Sequence, residues 1–435
     1  MLQIPTKAHI PNAKHPGRYL AIYLAVISAC NVAALVSFSQ AVGLHIFCFW
    51  FVFLTIVLEA ILIVTWARST NTQLVTSLLY LIVLTIYTWA LAIVLNNPPS
   101  AQGLDIGEAV KASVIVLLHG KDPYAATYNS TSLANVLVYD LPINPAWFHY
   151  VYFPFTTLLA LPFVMVLGSA FRLHFVLFFA LALSLVFLSR DIDKSFKQHA
   201  IIMFALSPLL ITDVVFGYDD IIFLSFVIAA IVMLRKHKLL FSGILLGIAC
   251  ATKQTALLIL PFLMAYVWRK NGITPSIKYS CYTLVTLGLF VVPFFLWNER
   301  AFINSTFFYL GSGGVFNYPV HGAGLAGLML KSNILKSRWQ PFPFIIPELA
   351  AYSAVCVIGI NVLRKNPTIH IVVYTFGIAI LAASLFSRSF QPDYFSLSIN
   401  VLLLGLAFHT PTLLAPTNIH SSHIKPSIKA AGFYQ

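Results

Sequence analysis

Four groups of ionisable side chains, far apart in the chain, are of the types that group transfer needs: Asp105 with Glu108, Asp219 with Asp220, Lys253, and Arg388. A carboxylate can take the proton of an attacking hydroxyl, and a lysine or arginine can hold a departing phosphate. Each group also has a structural reading. Asp105, three residues ahead of Glu108 and just before the apolar run 109–118, makes a good helix N-cap with an acid in the first turn. Asp219 and Asp220 could solvate a turn between two short helices, and Lys253 could snorkel toward water. Arg388 could serve topology alone, but its position runs against the trend of the other cations, which favours a role. Charges placed in lipid cost about 2.5–3.5 kcal/mol each on insertion scales, so they persist where they are paired or used.

The elements that position these groups are membrane-spanning helices. Of 435 residues, 59% are hydrophobic and only 9% charged, with a mean hydropathy of +0.87, which excludes a water-soluble domain. Apolar stretches of roughly 17–25 residues recur, the length that crosses a bilayer core, and they lack the strict alternation of a barrel. The formal net charge of +13 is carried by short basic pairs between apolar runs, so it sets topology and does not signal nucleic acid. Cys30, Cys48, Cys250, Cys281 and Cys356 all fall in apolar segments, which excludes a disulfide framework or a cysteine metal site. The first apolar run, behind Lys7, Lys14 and Arg18, reads as a retained span because no small-residue cleavage site follows it.

Counting spans between basic clusters orders the chain. Spans at 19–40, 44–66 and 74–95 lead to a long loop, which the positive-inside trend places outside, since four acids (Asp105, Glu108, Asp122, Asp140) outnumber two lysines between 96 and 150. Two apolar runs then precede the inside cluster at Lys194 and Lys197, where only an odd number of crossings is allowed. The run 151–168, broken by Pro154 and Pro162, is expected not to cross and to extend the outer loop to 96–168, with 171–188 as the crossing. Short spans at 199–215 and 221–234 put Gly217-Tyr218-Asp219-Asp220 outside, and a hairpin over 238–269 puts Lys253 at its outer end. A span at 277–297, a second outer loop at 298–344, and spans at 345–363, 369–386 and 394–412 complete an all-α polytopic bundle of about twelve helices with both termini inside. The expected organisation is a tail and two accessory helices (1–73), a catalytic membrane module (74–412) and a cytoplasmic tail (413–435), with juxtamembrane helices in the first outer loop.

Other residues speak less clearly. His119, His149, His174 and His321 show no metalloenzyme spacing, so no zinc site is built on them. The sequence implies no resident metal. One aspartate pair leaves open only a divalent cation beside a phosphate. Tyr124, Trp147, Tyr150 and Tyr152 anchor an interface or stack on a sugar. Asn129 and Asn304 open glycosylation sequons, and the pair Asp122-Pro123 is a turn.

Taken together, Asp105, Gly120-Lys121-Asp122-Pro123-Tyr124 and the aromatic-proline stretch Tyr150 to Pro154 resemble the first outer loop of GT-C glycosyltransferases, and most nearly the polyprenol-phosphate-mannose-dependent family GT87. Gly217-Tyr218-Asp219-Asp220, Ser242 to Gly247 leading to Lys253, and Gln391-Pro392-Asp393-Tyr394 extend the resemblance over roughly 75–412. Phe153 stands where many relatives have a second proline, and Tyr218 where a glutamine is common. The resemblance implies an inverting transfer of a sugar, with mannose expected, from a polyprenyl-phosphate donor to a glycan, glycolipid or protein acceptor at the outer face of a membrane, the inner membrane in a prokaryote. It implies Asp105 as the base, with Glu108 beside it, Asp219 or Asp220 as the second acid, and Lys253 and Arg388 on the donor phosphate. Tyr124, Tyr150, Tyr152, Gln391 and Tyr394 would contact substrate. The absence of a G-x-x-x-x-G-K-[ST] motif argues against an ATP-driven pump. A secondary transporter or flippase of a lipid-linked or small polar substrate is the alternative; it would place its acids at the bilayer midplane and show internal repeats.

Overall fold

The computed structural model describes residues 30–32, 35–36, 45–68, 72–96, 105–135, 144–168, 204–205, 207–216, 218–311 and 317–408. Its longer helices in chain order are α1 (His45–Arg68), α2 (Thr72–Asn96), α3 (Asp105–Leu118), α4 (Pro154–Leu167), α5 (Pro208–Phe216) and α6 (Asp220–Arg235). They are followed by α7 (Leu239–Thr252), α8 (Leu260–Asn271), α9 (Ile273–Trp297), α10 (Ile345–Lys365), α11 (Ile369–Phe386) and α12 (Pro392–Ala407). Among the described residues the only sheet is a parallel pair of two-residue strands, β1 (His321–Gly322) and β2 (Ser389–Phe390). The chain is thus an all-α membrane protein. Most of the expected first span, the crossing at 171–188, Asp140 and the tail from 413 lie outside the described residues.

Helix follows from composition because backbone groups in lipid can bond only within their own segment. Three described helices, α9, α10 and α11, are long and apolar enough to cross a membrane. In their most apolar windows only 11% of α9 and 6% of α10 is buried, against 50% of α11, so the first two present apolar faces to lipid and the third is an inner helix. Shorter apolar helices include α4, α7 and most of α12. Proline at the first turn starts α4 and α12, where its missing N–H costs no helix bond.

The core is a chain of neighbouring helices. The helix α7 packs on both α6 and α9, α8 joins α9 and α10, α11 lies between α10 and α12, and α5 bridges α2 and α12. The approach of α7 to α9 depends on Gly247, where a Cβ would come within 2.6 Å of the Thr283 carbonyl oxygen. A second core joins α3, α4 and the end of α9 through Tyr124, Tyr128, Tyr150, Phe153 and Phe302.

This order gives the bundle two chemically different ends. α6 starts at Asp220 and finishes at Arg235; α7 returns to Thr252 beside Lys253; α8 finishes at Arg269 and Lys270. α11 runs back from Ile369 toward Arg388, and α12 from Asp393 to Phe408. Acids therefore collect at one end, together with Lys253 and Arg388, and the basic residues Arg235, Arg269 and Lys270 lie at the other, separated by the roughly 24 Å length of a 16-residue helix.

Candidate active site

The centre of the acidic end is a buried ion-pair cluster. Asp219 and Asp220 stand at the start of α6, and Lys253 stands at the break where α7 ends and a 3-10 turn, Gln254–Ile259, begins. The backbone at Lys253 is extended (φ −144°, ψ 138°), a local departure from helix between two turns. Its Nζ donates to Asp219 Oδ1 at 3.0 Å and to Asp220 Oδ1 at 2.7 Å. All three residues are at most 7% exposed. Burial by itself lowers the Lys253 pKa, but the Asp219 and Asp220 carboxylates outweigh it and hold the ammonium well above the ordinary lysine value. Burial raises Asp219 above the usual carboxylate range, Lys253 opposes that shift and Asp220 reinforces it. Asp219 Oδ2 and Asp220 Oδ2 are buried with no hydrogen-bond partner, so each carboxylate keeps one acceptor oxygen unused.

Two further acids, which sequence reasoning did not select, adjoin the cluster. Asp393, in the first turn of α12, is 7% exposed, lies within electrostatic reach of Asp220, Lys253 and Asp219, and has a buried, unpartnered Oδ1. Asp213, inside α5, accepts at Oδ2 from Ser396 Oγ at 2.7 Å and from Asn400 Nδ2 at 3.1 Å. Ser207 Oγ donates to Asn400 Oδ1 at 2.8 Å, completing a polar seam between α5 and α12. The signals were present: an aspartate within an apolar run, and Asp393, Ser396 and Asn400 at helical spacing on one face.

Asp105 occupies the first turn of α3 with Glu108 one turn on. Glu108 is fully buried, while Asp105 keeps part of its surface accessible. Asp105 is nevertheless enclosed closely enough that desolvation pushes its carboxyl up to about 6, against opposing hydrogen bonds from the helix-start backbone and the Asn144 side chain. Asn144 is fixed by capping the short Pro145–Trp147 turn, where its Oδ1 accepts from Ala146 N at 2.9 Å. Tyr152 lies within electrostatic reach of both Asp105 and the cluster: burial, then Asp219 and Asp105, push its hydroxyl well above the ordinary tyrosine value. Its ring lies 5.7 Å from Lys253 Nζ, and the Tyr394 ring lies 6.0 Å from the same atom. The structure thus brings Asp105, Asp219, Asp220, Lys253, Tyr152 and Tyr394 to one end of the bundle.

The remaining expected residues are placed differently. Tyr124 is a core residue, with its hydroxyl donating to the Tyr152 carbonyl at 2.8 Å and its ring edge-on to Tyr150 and Phe302. The buried Tyr150 hydroxyl accepts from Thr157 Oγ1 at 2.7 Å. Gln391 Nε2 donates to the Tyr318 hydroxyl. Arg388 is 1% exposed and holds backbone: Nε donates to the Tyr318 carbonyl at 2.6 Å, Nη1 to Gln340 at 3.1 Å and Nη2 to Arg338 at 2.8 Å. Three of the five N–H donors of this guanidinium are thus committed to backbone carbonyls. No group of three or more His, Cys, Asp or Glu side chains among the described residues could hold a metal ion.

The model of glycosyltransferase family 87 matches residues 150–406, more than half of the chain and the segment that supplies Asp219, Asp220, Lys253 and Asp393. The chain belongs to glycosyltransferase family 87. No curated protein and no solved structure matches it.

Proposed function

We propose that this family 87 glycosyltransferase moves a sugar, mannose, from a polyprenyl-phosphate donor to an acceptor hydroxyl at the outer face of the membrane, with inversion. Asp105 is the general base. As the acceptor oxygen attacks the anomeric carbon, its proton passes to the Asp105 carboxylate, and the bond from that carbon to the phosphate oxygen breaks on the opposite face. The polyprenyl phosphate leaves with the bonding electron pair. The observation that carries this reading is the Asp105 carboxyl, partly accessible, raised to about 6 and, like the ion-pair cluster, within electrostatic reach of Tyr152. A base works best when its pKa lies near the working pH.

Within this scheme the cluster suits the sugar ring of the donor better than its phosphate. Lys253 is already matched by two carboxylates, and a phosphate would add like charge beside Asp219, Asp220 and Asp393. The unused Oδ2 atoms of Asp219 and Asp220 are acceptors for sugar hydroxyls, and the Tyr152 and Tyr394 rings offer apolar walls. A donor with its lipid tail in the bilayer brings its phosphate to this end of the bundle without a nucleotide-binding domain.

The test is turnover of polyprenyl-phosphate mannose by membranes carrying wild-type protein or Asp105→Asn. A loss of about 10²–10⁴-fold with unchanged expression and folding is expected for removal of a general base. Full turnover by a correctly folded Asp105→Asn protein would remove Asp105 from the mechanism.

A further inference from the structure

The basic end of the bundle contains a cavity of about 330 Å³, at the lower end of the range in which small ligands are held. It lies where the α6–α7 turn, the end of α8, the start of α11 and the end of α12 meet, at the far end of the same helices that carry the acidic cluster. Its polar wall includes Arg235, His237, Lys270, Asn271, Thr368 and His370. Its apolar wall includes Leu234, Leu239, Ile369 and Phe408. No aspartate or glutamate lines it among the described residues.

Two features of this wall favour an anion. Arg235 and the exposed Lys270 both line this cavity, with Asn271 as a further residue able to hydrogen-bond. The first turn of α11 forms part of the same wall; it contains no acid, and Thr368 makes no side-chain capping bond to it. The positive end of an 18-residue helix therefore adds to the two cations without an internal counter-charge.

The apolar half of the lining distinguishes the kinds of anion. A free inorganic anion gains nothing from Leu234, Leu239, Ile369 and Phe408, whereas an amphiphile places its phosphate on the cations and its first carbons on those side chains. We propose that this cavity is a binding site for the phosphate group of an anionic membrane lipid, held by Arg235 and Lys270 in the leaflet opposite the acidic cluster. Such a lipid would join the ends of α6, α8, α11 and α12, helices whose other ends lead to Asp220, Lys253, Arg388 and Asp393. Basic pockets between membrane helices are a physically expected place for lipid headgroups.

The experiment uses the full chain in nanodiscs of phosphatidylcholine, with or without phosphatidylglycerol, and reads lipid retention by native mass spectrometry together with the thermal midpoint. Wild type should retain phosphatidylglycerol in preference to phosphatidylcholine and unfold at a higher temperature in its presence. The Arg235→Gln/Lys270→Gln protein should bind phosphatidylglycerol about tenfold or more weakly, the loss expected for two charge-assisted bonds. An Arg300→Gln/Lys331→Gln control, which removes two cations elsewhere, should keep the wild-type preference. The wild-type measurement decides by itself whether the double variant folds or not: equal retention of the two lipids overturns the proposal. Loss of preference in the control would also overturn it, by assigning the effect to surface charge in general. Millimolar inorganic phosphate should not raise the midpoint in phosphatidylcholine discs; an equal rise would assign the cavity to free phosphate and overturn the lipid.

Discussion

At the residue scale, the acidic end depends on how burial divides proton affinity among its carboxylates. Asp105 is raised to about 6 by desolvation. A base acts only when deprotonated, so kcat/KM should rise about tenfold per pH unit up to about 6 and then level off. A pH profile checks this, and Asp105→Glu should move the limb; an unmoved limb would assign it to Asp219, which is also raised. Lys253 has a different task, balancing Asp219 and Asp220 at 3.0 and 2.7 Å. Lys253→Met leaves two buried carboxylates without their cation, a class of change that costs about 3–5 kcal/mol. The thermal midpoint should therefore drop at pH 7 and recover partly near pH 5, where a raised carboxyl takes up a proton and the uncompensated charge falls. An equal drop at both pH values would argue that the cost is one of packing.

At the element scale, the second long loop is more structured than a connection between spans needs to be. β1 pairs with β2, Arg388 donates to the carbonyls of Tyr318, Arg338 and Gln340, and Gly322 allows an approach at which a Cβ would lie 1.8 Å from the Phe390 carbonyl oxygen. This clasp ties the loop 318–340 to the residues just ahead of Asp393 and Tyr394. Arg388→Ala would remove three hydrogen bonds to partly buried carbonyls, of which that of Arg338 keeps the Val320 N–H as a donor; a hydrogen bond to a charged group contributes about 1.5–3 kcal/mol. Limited proteolysis should then cut within 318–340, and the thermal midpoint should fall; Arg388→Lys, with one compact donor group in place of a planar fork, should rescue only part. Protease resistance equal to wild type would mean that the strand pair holds the loop unaided. A cation at 388 was easy to read in the sequence, but its partners are carbonyls 48–70 residues away and have no sequence signature.

At the scale of the whole molecule, the basic ends of α6 and α8, opposite the acidic cluster, are the pattern that the positive-inside trend predicts for a cytoplasmic face. In a background without the native cysteines, a membrane-impermeant thiol reagent applied from outside intact cells should label Lys331→Cys and not Lys236→Cys. The opposite pattern would invert the orientation and place the acidic cluster inside.

The sequence by itself determined the all-helical membrane class, the bounds of the helix Ile369–Phe386, the end of α9 at Trp297 although not its start at Ile273, the break at Lys253 and the start of α3 at Asp105. These depend on local quantities: apolar length, proline and glycine positions, and charge between spans. Only the tertiary structure decided that Lys253 meets both Asp219 and Asp220, that Asp393 joins them and Asp213 lies beside them, and that Arg388 grips a backbone instead of standing open. Those are contacts between helices, set by which faces pack and how closely. In an apolar bundle nearly every face is hydrophobic, so periodicity does not reveal which helix a buried charge will face.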